Sequence, residues 1–302
     1  MPFLVKPLLS CAGLALLVMG CASVPPHGGF SSVQDQVQQR LGQQLSWRQN
    51  GPEDQAIDDL VADLLQAELT DTTAVQIALL NNRRLQASYA ELGISQAAVA
   101  QAGRLSNPRL SGDYLLPTNP GGGALVALDL ALNFTDWLFL NRHRAMAEIE
   151  FTTTKARVAA AVLDLAGATR QAFWLYQGAQ EILAQQRLFA AAAAASLTTT
   201  QKLYEAGNLP KVALAKAQAD AGQAGLALAK AQTRLAAQRE ELNQLLGLWG
   251  PATSAWEVSD QLPPLPDLEP LPEDLERQVL AASLDLAIAH GQLMAAARQA
   301  GV

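Results

Sequence analysis

Two long runs of heptad spacing constrain this chain more than any other feature. From Val158 the positions Val162, Leu165, Thr169, Ala172, Tyr176, Ala179, Leu183, Gln186, Ala190, Ala193, Leu197, Thr200 and Tyr204 follow at alternating intervals of four and three. Apolar or small side chains every 3.5 residues draw a seam along which one helix lies on another. A second seam runs through Leu214, Ala217, Ala221, Ala224, Leu228, Ala231, Leu235, Gln238, Leu242 and Leu245. Alanine at so many of these positions lets helix axes approach closely. Further alanines off the seams predict more than one packed face per helix, as in a sheet of helices.

The seams are joined by Tyr204-Glu205-Ala206-Gly207-Asn208-Leu209-Pro210. Gly207 can take the left-handed conformation that ends the first helix, Asn208 can cap the second, and Pro210 fits its first turn. So tight a turn makes the arms antiparallel neighbours. At 1.5 Å per residue the rising arm, from about Arg142, is roughly 93 Å long and the return arm to Gly247 roughly 58 Å. Another segment must cover the difference. A third helical stretch, starting near Glu273 after a Pro-rich linker, is the candidate. In it Leu280, Leu286 and Leu293 repeat Leu79, Leu85 and Leu92 at a constant offset of 201, which implies an internal duplication.

Ahead of the seams lie a polar, Gln-rich lead-in with a short helix from Asp54 to Glu68, and a long helix from the cap candidates Thr70 to Thr73 to about Gln101, stopped by Asn107-Pro108. Next, Leu110, Gly112, Tyr114 and Leu116 alternate with Arg109, Ser111 and Asp113. After the loop of Pro117 to Gly123, Val126, Leu128, Leu130, Leu132 and Phe134 alternate with Ala127, Asp129, Ala131 and Asn133. Period two on both sides of a turn-rich loop predicts a β-hairpin. Ten residues, large and apolar on one side and small or polar on the other, have the length and dyad of a membrane-spanning strand, although a soluble hairpin on a core has the same period. Under the membrane reading the even-numbered residues face lipid, Asp129 and Asn133 face a lumen, Trp137 and Phe139 sit at an interfacial girdle, and Arg142 and Arg144 lie near head groups.

The N-terminus supplies an address. Lys6, the apolar run Leu8 to Met19 and the tetrad Val18-Met19-Gly20-Cys21 form a signal peptide of residues 1–20 ending in a lipobox-like sequence. Cleavage before Cys21 would leave its thiol to carry acyl chains, each buried methylene adding about 0.8 kcal/mol of membrane affinity. Ala22, in place of Asp, resembles lipoproteins sorted to the outer membrane of Gram-negative bacteria.

Charge and composition exclude other classes. The net charge of −7 offers no basic surface for nucleic acid. Two Cys, three His and four Met, scattered along the chain, leave little for a metal cage, and no cofactor is implied. His27, His143 and His290 share no evident site, and no HExxH, P-loop, CxxC or GxSxG occurs, so an enzyme is not expected.

Four segments then carry a resemblance: Ala74-Val75-Gln76-Ile77-Ala78-Leu79-Leu80-Asn81-Asn82 with Leu85 and Ala87, Asn107-Pro108-Arg109-Leu110, Leu203-Tyr204-Glu205-Ala206-Gly207, and Leu242-Asn243-Gln244-Leu245-Leu246-Gly247. In this order they resemble the lipoprotein branch of the outer membrane efflux proteins of the TolC class. The resemblance implies a mainly α fold with a β-hairpin: long antiparallel coiled-coil helices of an α-barrel protomer plus two transmembrane strands, half of a TolC-like protomer. It further implies a homotrimer in outer-membrane lipid, forming a passive conduit for small molecules or metal ions. Ala206, Gly207, Asn208 and Leu209 would meet a periplasmic adaptor (membrane fusion) protein, itself joined to an inner-membrane pump. Family members carry strand pair and hairpin twice. One pair per protomer gives six strands per trimer, against roughly eight in the smallest membrane barrels. A chain truncated after its first repeat is therefore expected, with its own competence as a pore in question. The usual acidic residue after the tip is replaced near Ala213.

The expected organisation is a signal peptide (1–20), a lipidated tether and lead-in (21–69), a first periplasmic helix (70–106), the membrane hairpin (107–140), the long helical hairpin (141–249), the linker (250–272) and the start of a second repeat (273–302). The alternative is a lipid-anchored periplasmic coiled-coil adaptor or structural lipoprotein, but an adaptor needs strand-rich domains flanking its hairpin and none is visible.

Overall fold

A computed structural model describes residues 28–115, 125–264 and 274–300. The signal peptide, Cys21, the 117–123 loop and part of the linker lie outside the described residues. In chain order the helices are α1 (Phe30–Leu41), α2 (Glu53–Gln66), α3 (Asp71–Asn81) and α4 (Arg83–Ala102). The strands β1 (Arg109–Leu115) and β2 (Leu125–Ala131) follow, then α5 (Phe134–Glu205), α6 (Lys211–Leu246), a 3-10 turn (Gly250–Ser254), α7 (Leu275–Ala282) and α8 (Leu284–Ala300). The chain divides into two compact units, one of residues 32–90 and 156–286, the other of 1–31, 91–155 and 287–302.

The first unit holds most of the helical core. The seam residues of α5 from Val158 to Thr200, and all those of α6, are buried or half-buried, while the residues between them are largely exposed. At one end of the arms α2, α3, α5 and α6 close a core around Leu69, Ile77, Phe173, Leu242, Leu246 and Trp256. Thr70 starts α3 through a reciprocal cap: its Oγ1 accepts from the Thr73 N–H at 3.1 Å while Thr73 Oγ1 accepts from the Thr70 N–H at 2.8 Å. Trp256 is locked into the core from three sides. Its Nε1 donates to Asn243 Oδ1 at 2.8 Å, Tyr176 meets it edge-on at 4.9 Å, and the Arg239 guanidinium lies 4.1 Å above the ring while donating to the Trp256 carbonyl and to Tyr176 Oη.

Burial raises the Tyr89 phenol well above its ordinary value. The folded chain thus keeps this proton where the unfolded chain has lost it. Stability contributed by Tyr89 is complete below pH about 10 and falls as pH rises beyond it. Tyr89→Phe is expected to flatten the alkaline limb of a stability–pH curve measured by urea unfolding.

Two helices differ from expectation by a break. The predicted helix of 70–106 is α3 and α4, interrupted at Asn82 (φ −69°, ψ 114°), and the third stretch is α7 and α8, interrupted at Ser283 (φ −66°, ψ 120°). The two breaks are 201 residues apart, so the duplication seen in the leucines extends to the backbone. Each is stabilised by a side chain that caps the following helix: Asn82 Oδ1 accepts from the Arg84 and Leu85 N–H groups, Ser283 Oγ from the Leu286 N–H. The short helix α1 was not anticipated. Phe30, Val33 and Val37, all buried, give it an inward stripe.

In the second unit the hairpin stands between α4 and α5, and α8 runs antiparallel to α5. Gly291 permits this contact, since a Cβ there would lie 2.1 Å from Thr153 Oγ1. Arg142 donates to the Arg298 and Gln299 carbonyls at 2.6 and 2.9 Å, satisfying the C-terminus of α8, and Arg144 pairs with Glu148 at 2.9 Å. The rising arm begins at Phe134, eight residues before the expected Arg142.

Candidate functional site

β1 and β2 pair antiparallel with Leu110 opposite Leu130, Gly112 opposite Leu128 and Tyr114 opposite Val126. Facing residues in such a pair project to the same side. The pairing therefore gathers Leu110, Tyr114, Val126, Leu128 and Leu130 on one surface, and sets Ser111, Asp113, Leu115, Ala127 and Asp129 on the other. Leu128 leans across Gly112, 3.2 Å from where a Cβ would sit. Leu110, Tyr114, Val126, Leu128 and Leu130 are each between 59% and 76% exposed, so the apolar side has no cover among the described residues.

Three predicted strand residues lie beyond β2. It ends at Ala131, leaving Leu132 and Asn133 in the connection and Phe134 as the first residue of α5. The reason is a helix start: Asn133 precedes the first helical residue, and its Oδ1 accepts from Thr135 Oγ1 at 2.6 Å. Of the two residues expected to face a lumen, only Asp129 is on a strand. Phe134 and Trp137, 5.4 Å apart, form an exposed aromatic pair on the first turn of α5. Among the described residues no single helix is long and apolar enough to cross a membrane, which says nothing of strands.

At the far end of the arms, Gly207 (φ +75°) closes α5 in a Schellman turn: its N–H donates to the Tyr204 carbonyl and the Asn208 N–H to the Leu203 carbonyl, both at 2.9 Å. Ala206, Gly207 and Asn208 are exposed and Leu209 is half-buried. Pro210, not Asn208, holds the N-cap position of α6, and no side chain caps it. Behind the tip the arms enclose a groove of about 490 Å³ lined by Ala193, Thr200, Leu209 and Lys216.

α6 ends in the same turn at Gly247 (φ +67°), with its N–H on the Gln244 carbonyl and the Leu248 N–H on the Asn243 carbonyl. Here the surroundings differ. Asn81 Nδ2 donates to the Leu246 and Gly247 carbonyls at 3.0 and 2.9 Å, and Asn82 Nδ2 to the Leu245 carbonyl at 2.9 Å. Two sequence motifs more than 160 residues apart thus form one junction, in which the kink at Asn82 receives the end of α6. A Cβ on Gly247 would lie 2.6 Å from the Asn81 carbonyl oxygen, whereas one on Gly207 would meet nothing within 4 Å. Gly207→Ala is expected to cost about 1–2 kcal/mol, the left-handed strain alone. Gly247→Ala adds overpacking of about 1–3 kcal/mol, so its thermal midpoint, followed by circular dichroism, should fall clearly further.

Beside this junction α4, α5 and α6 line an open groove of about 950 Å³, with Leu85, Leu165 and Leu175 among its apolar residues, Arg83 and Arg84 on one wall and Trp249 at the rim. Sequence reasoning missed this groove because its walls come from three distant segments. Among the described residues no cluster of three or more His, Cys, Asp or Glu could hold a metal ion.

The family model described as outer membrane efflux protein matches residues 74–248, from α3 through the end of α6. The chain belongs to the outer membrane efflux protein family. Solved structures share its fold at low identity. CusC, described in connection with folding and transmembrane channel formation, is 20% identical with a TM-score of 0.63, over 78% of this chain and 56% of that one. The outer-membrane channel OprN is 20% identical, TM-score 0.62, over 82% and 56%. The Campylobacter jejuni CmeC outer membrane channel is 16% identical, TM-score 0.57, over 80% and 52%. This member of the family therefore spans little more than half the length of those channels and has the fold of half a TolC-like protomer. No curated protein sequence matches the chain.

Proposed function

We propose that the chain is the outer-membrane channel component of a tripartite efflux system, anchored through acylated Cys21 and assembled as a trimer. The hairpin joins a β-barrel in the outer membrane, and α5 and α6 form part of a periplasmic tunnel whose exposed tip, Ala206 to Leu209, receives the helical hairpin of a periplasmic adaptor. An inner-membrane pump feeds the conduit through that adaptor, and small molecules or metal ions pass outward without further energy input. The observation that carries this reading is the register of β1 with β2, which collects Leu110, Tyr114, Val126, Leu128 and Leu130 on one surface left uncovered among the described residues. Hydrocarbon suits such a surface and water does not.

The test expresses the full chain in a Gram-negative cell with labelled palmitate and single cysteines at Leu128 or Asp129. Co-fractionation with the outer membrane, label lost on Cys21→Ser, and a water-soluble maleimide reaching position 129 but not 128 are the expected results. Equal labelling of 128 and 129, or recovery in the soluble periplasmic fraction with Cys21 intact, would sink it.

A further inference from the structure

The groove beside Gly247 and the outer side of α2, where Asp59 Oδ1 accepts from Gln55 Nε2 at 2.9 Å, carry surfaces of complementary charge. From Gly51 to Asn82 the sequence has no Lys, Arg or His, yet it holds Glu53, Asp54, Asp58, Asp59, Asp63, Glu68 and Asp71. Two of these are paired, Asp58 with Arg48 and Asp71 with Arg170. α2 buries Ile57, Val61 and Leu65, which turns Asp59, Leu60 and Asp63 outward on one stripe. Leu60 is 46% exposed, and neither aspartate has a cationic partner among the described residues. The groove has the complementary character. Arg83 and Arg84 are exposed and form no ion pair among the described residues, the floor is apolar, and Trp249 stands at the rim. Glu241, on the opposite wall, accepts from Gln238 Nε2 at 3.2 Å.

We infer that the acidic outer stripe of α2 in one copy of this chain docks into the groove of a second copy, with Leu60 against the apolar floor and Asp59 and Asp63 against Arg83 and Arg84. The mode is a helix laid in a groove. Apolar contact supplies the affinity, and the charges set register and exclude misaligned encounters more than they add binding energy. The contact joins two different patches of the chain, so it can repeat head-to-tail, the arrangement that closes into a ring when its rotation permits. The inference names the contact behind the trimer proposed above and rests on that reading.

The test uses the full chain in detergent. Asp59→Cys combined with Arg84→Cys should give covalent oligomers on mild oxidation, which neither single variant gives. Separately, Asp59→Arg with Asp63→Arg should raise the protein concentration needed for assembly about tenfold or more at low salt. Adding Arg83→Asp and Arg84→Asp to that variant should restore assembly. All six changes are at exposed positions, so loss of folding does not confuse the result. Charge reversal without effect, a reversal that the reciprocal change fails to rescue, or a chain that stays monomeric overturns the inference. Wild-type assembly without the cross-link overturns this contact and leaves the channel reading standing. Failure to reach the outer membrane, read from fractionation, counts against the channel reading instead.

Discussion

Trp256→Ala is expected to destabilise the helical core more than any other single change, by about 3–5 kcal/mol from lost burial and the cavity left behind. The ring is fully buried and is the point at which the segment after α6 returns to α5. Its loss also removes the donor to Asn243 Oδ1 and the surface beneath Arg239. The change should lower the thermal midpoint of the detergent-solubilised chain by roughly 6–20 °C, at about 2–4 °C per kcal/mol for a unit of this size. Trp256→Phe keeps most of the packing and leaves Asn243 Oδ1 unsatisfied, an expected cost of about 1–3 kcal/mol. A midpoint for Trp256→Ala within two degrees of the parent would mean that α2, α3 and α6 hold together without it.

Leu130→Arg is the second large effect, and it falls on assembly. On the lipid side of a barrel an arginine near the midplane costs about 2–4 kcal/mol, whereas on the lumen side it stays hydrated. In a Cys21→Ser background, which has no acyl anchor, Leu130→Arg should therefore leave the chain extractable by alkaline carbonate, while Asp129→Arg, one position away, should remain in the membrane pellet. Identical behaviour of the two variants would refute the assigned facing. The helical units should be indifferent to both, since neither position touches the core, so far-UV circular dichroism serves as the control.

Much of this architecture is legible in local spacing. The seams are buried or half-buried where the heptad count places them, from Val158 to Thr200 in α5 and throughout α6, and the pairing of β1 with β2 follows from two alternations read separately. The tip is legible for the same reason, because Gly207 alone dictates its turn. Spacing fails where something other than periodicity decides the outcome. The apolar period continues smoothly from Ala74 to Val99, so it does not reveal the break at Asn82, whose side chain caps the following helix. Parity misleads at the end of β2, since Leu132 and Phe134 continue the alternation although Asn133 already begins a helix. Trp256 lies in no periodic pattern, and its role depends on Tyr176, Arg239 and Asn243 converging from two helices. The groove was invisible for a related reason, being a space and not a pattern.

The kink at Ser283 has a consequence of its own. Its backbone angles match those at Asn82 within 6°, yet the hydrogen bonds that tie Asn82 to a helix end have no counterpart at Ser283 among the described residues. A bend that forms with and without an occupant is written into the few residues around it. A concave receiver of this kind exists before anything settles into it, and the arrival of an occupant then freezes little additional motion in the receiver.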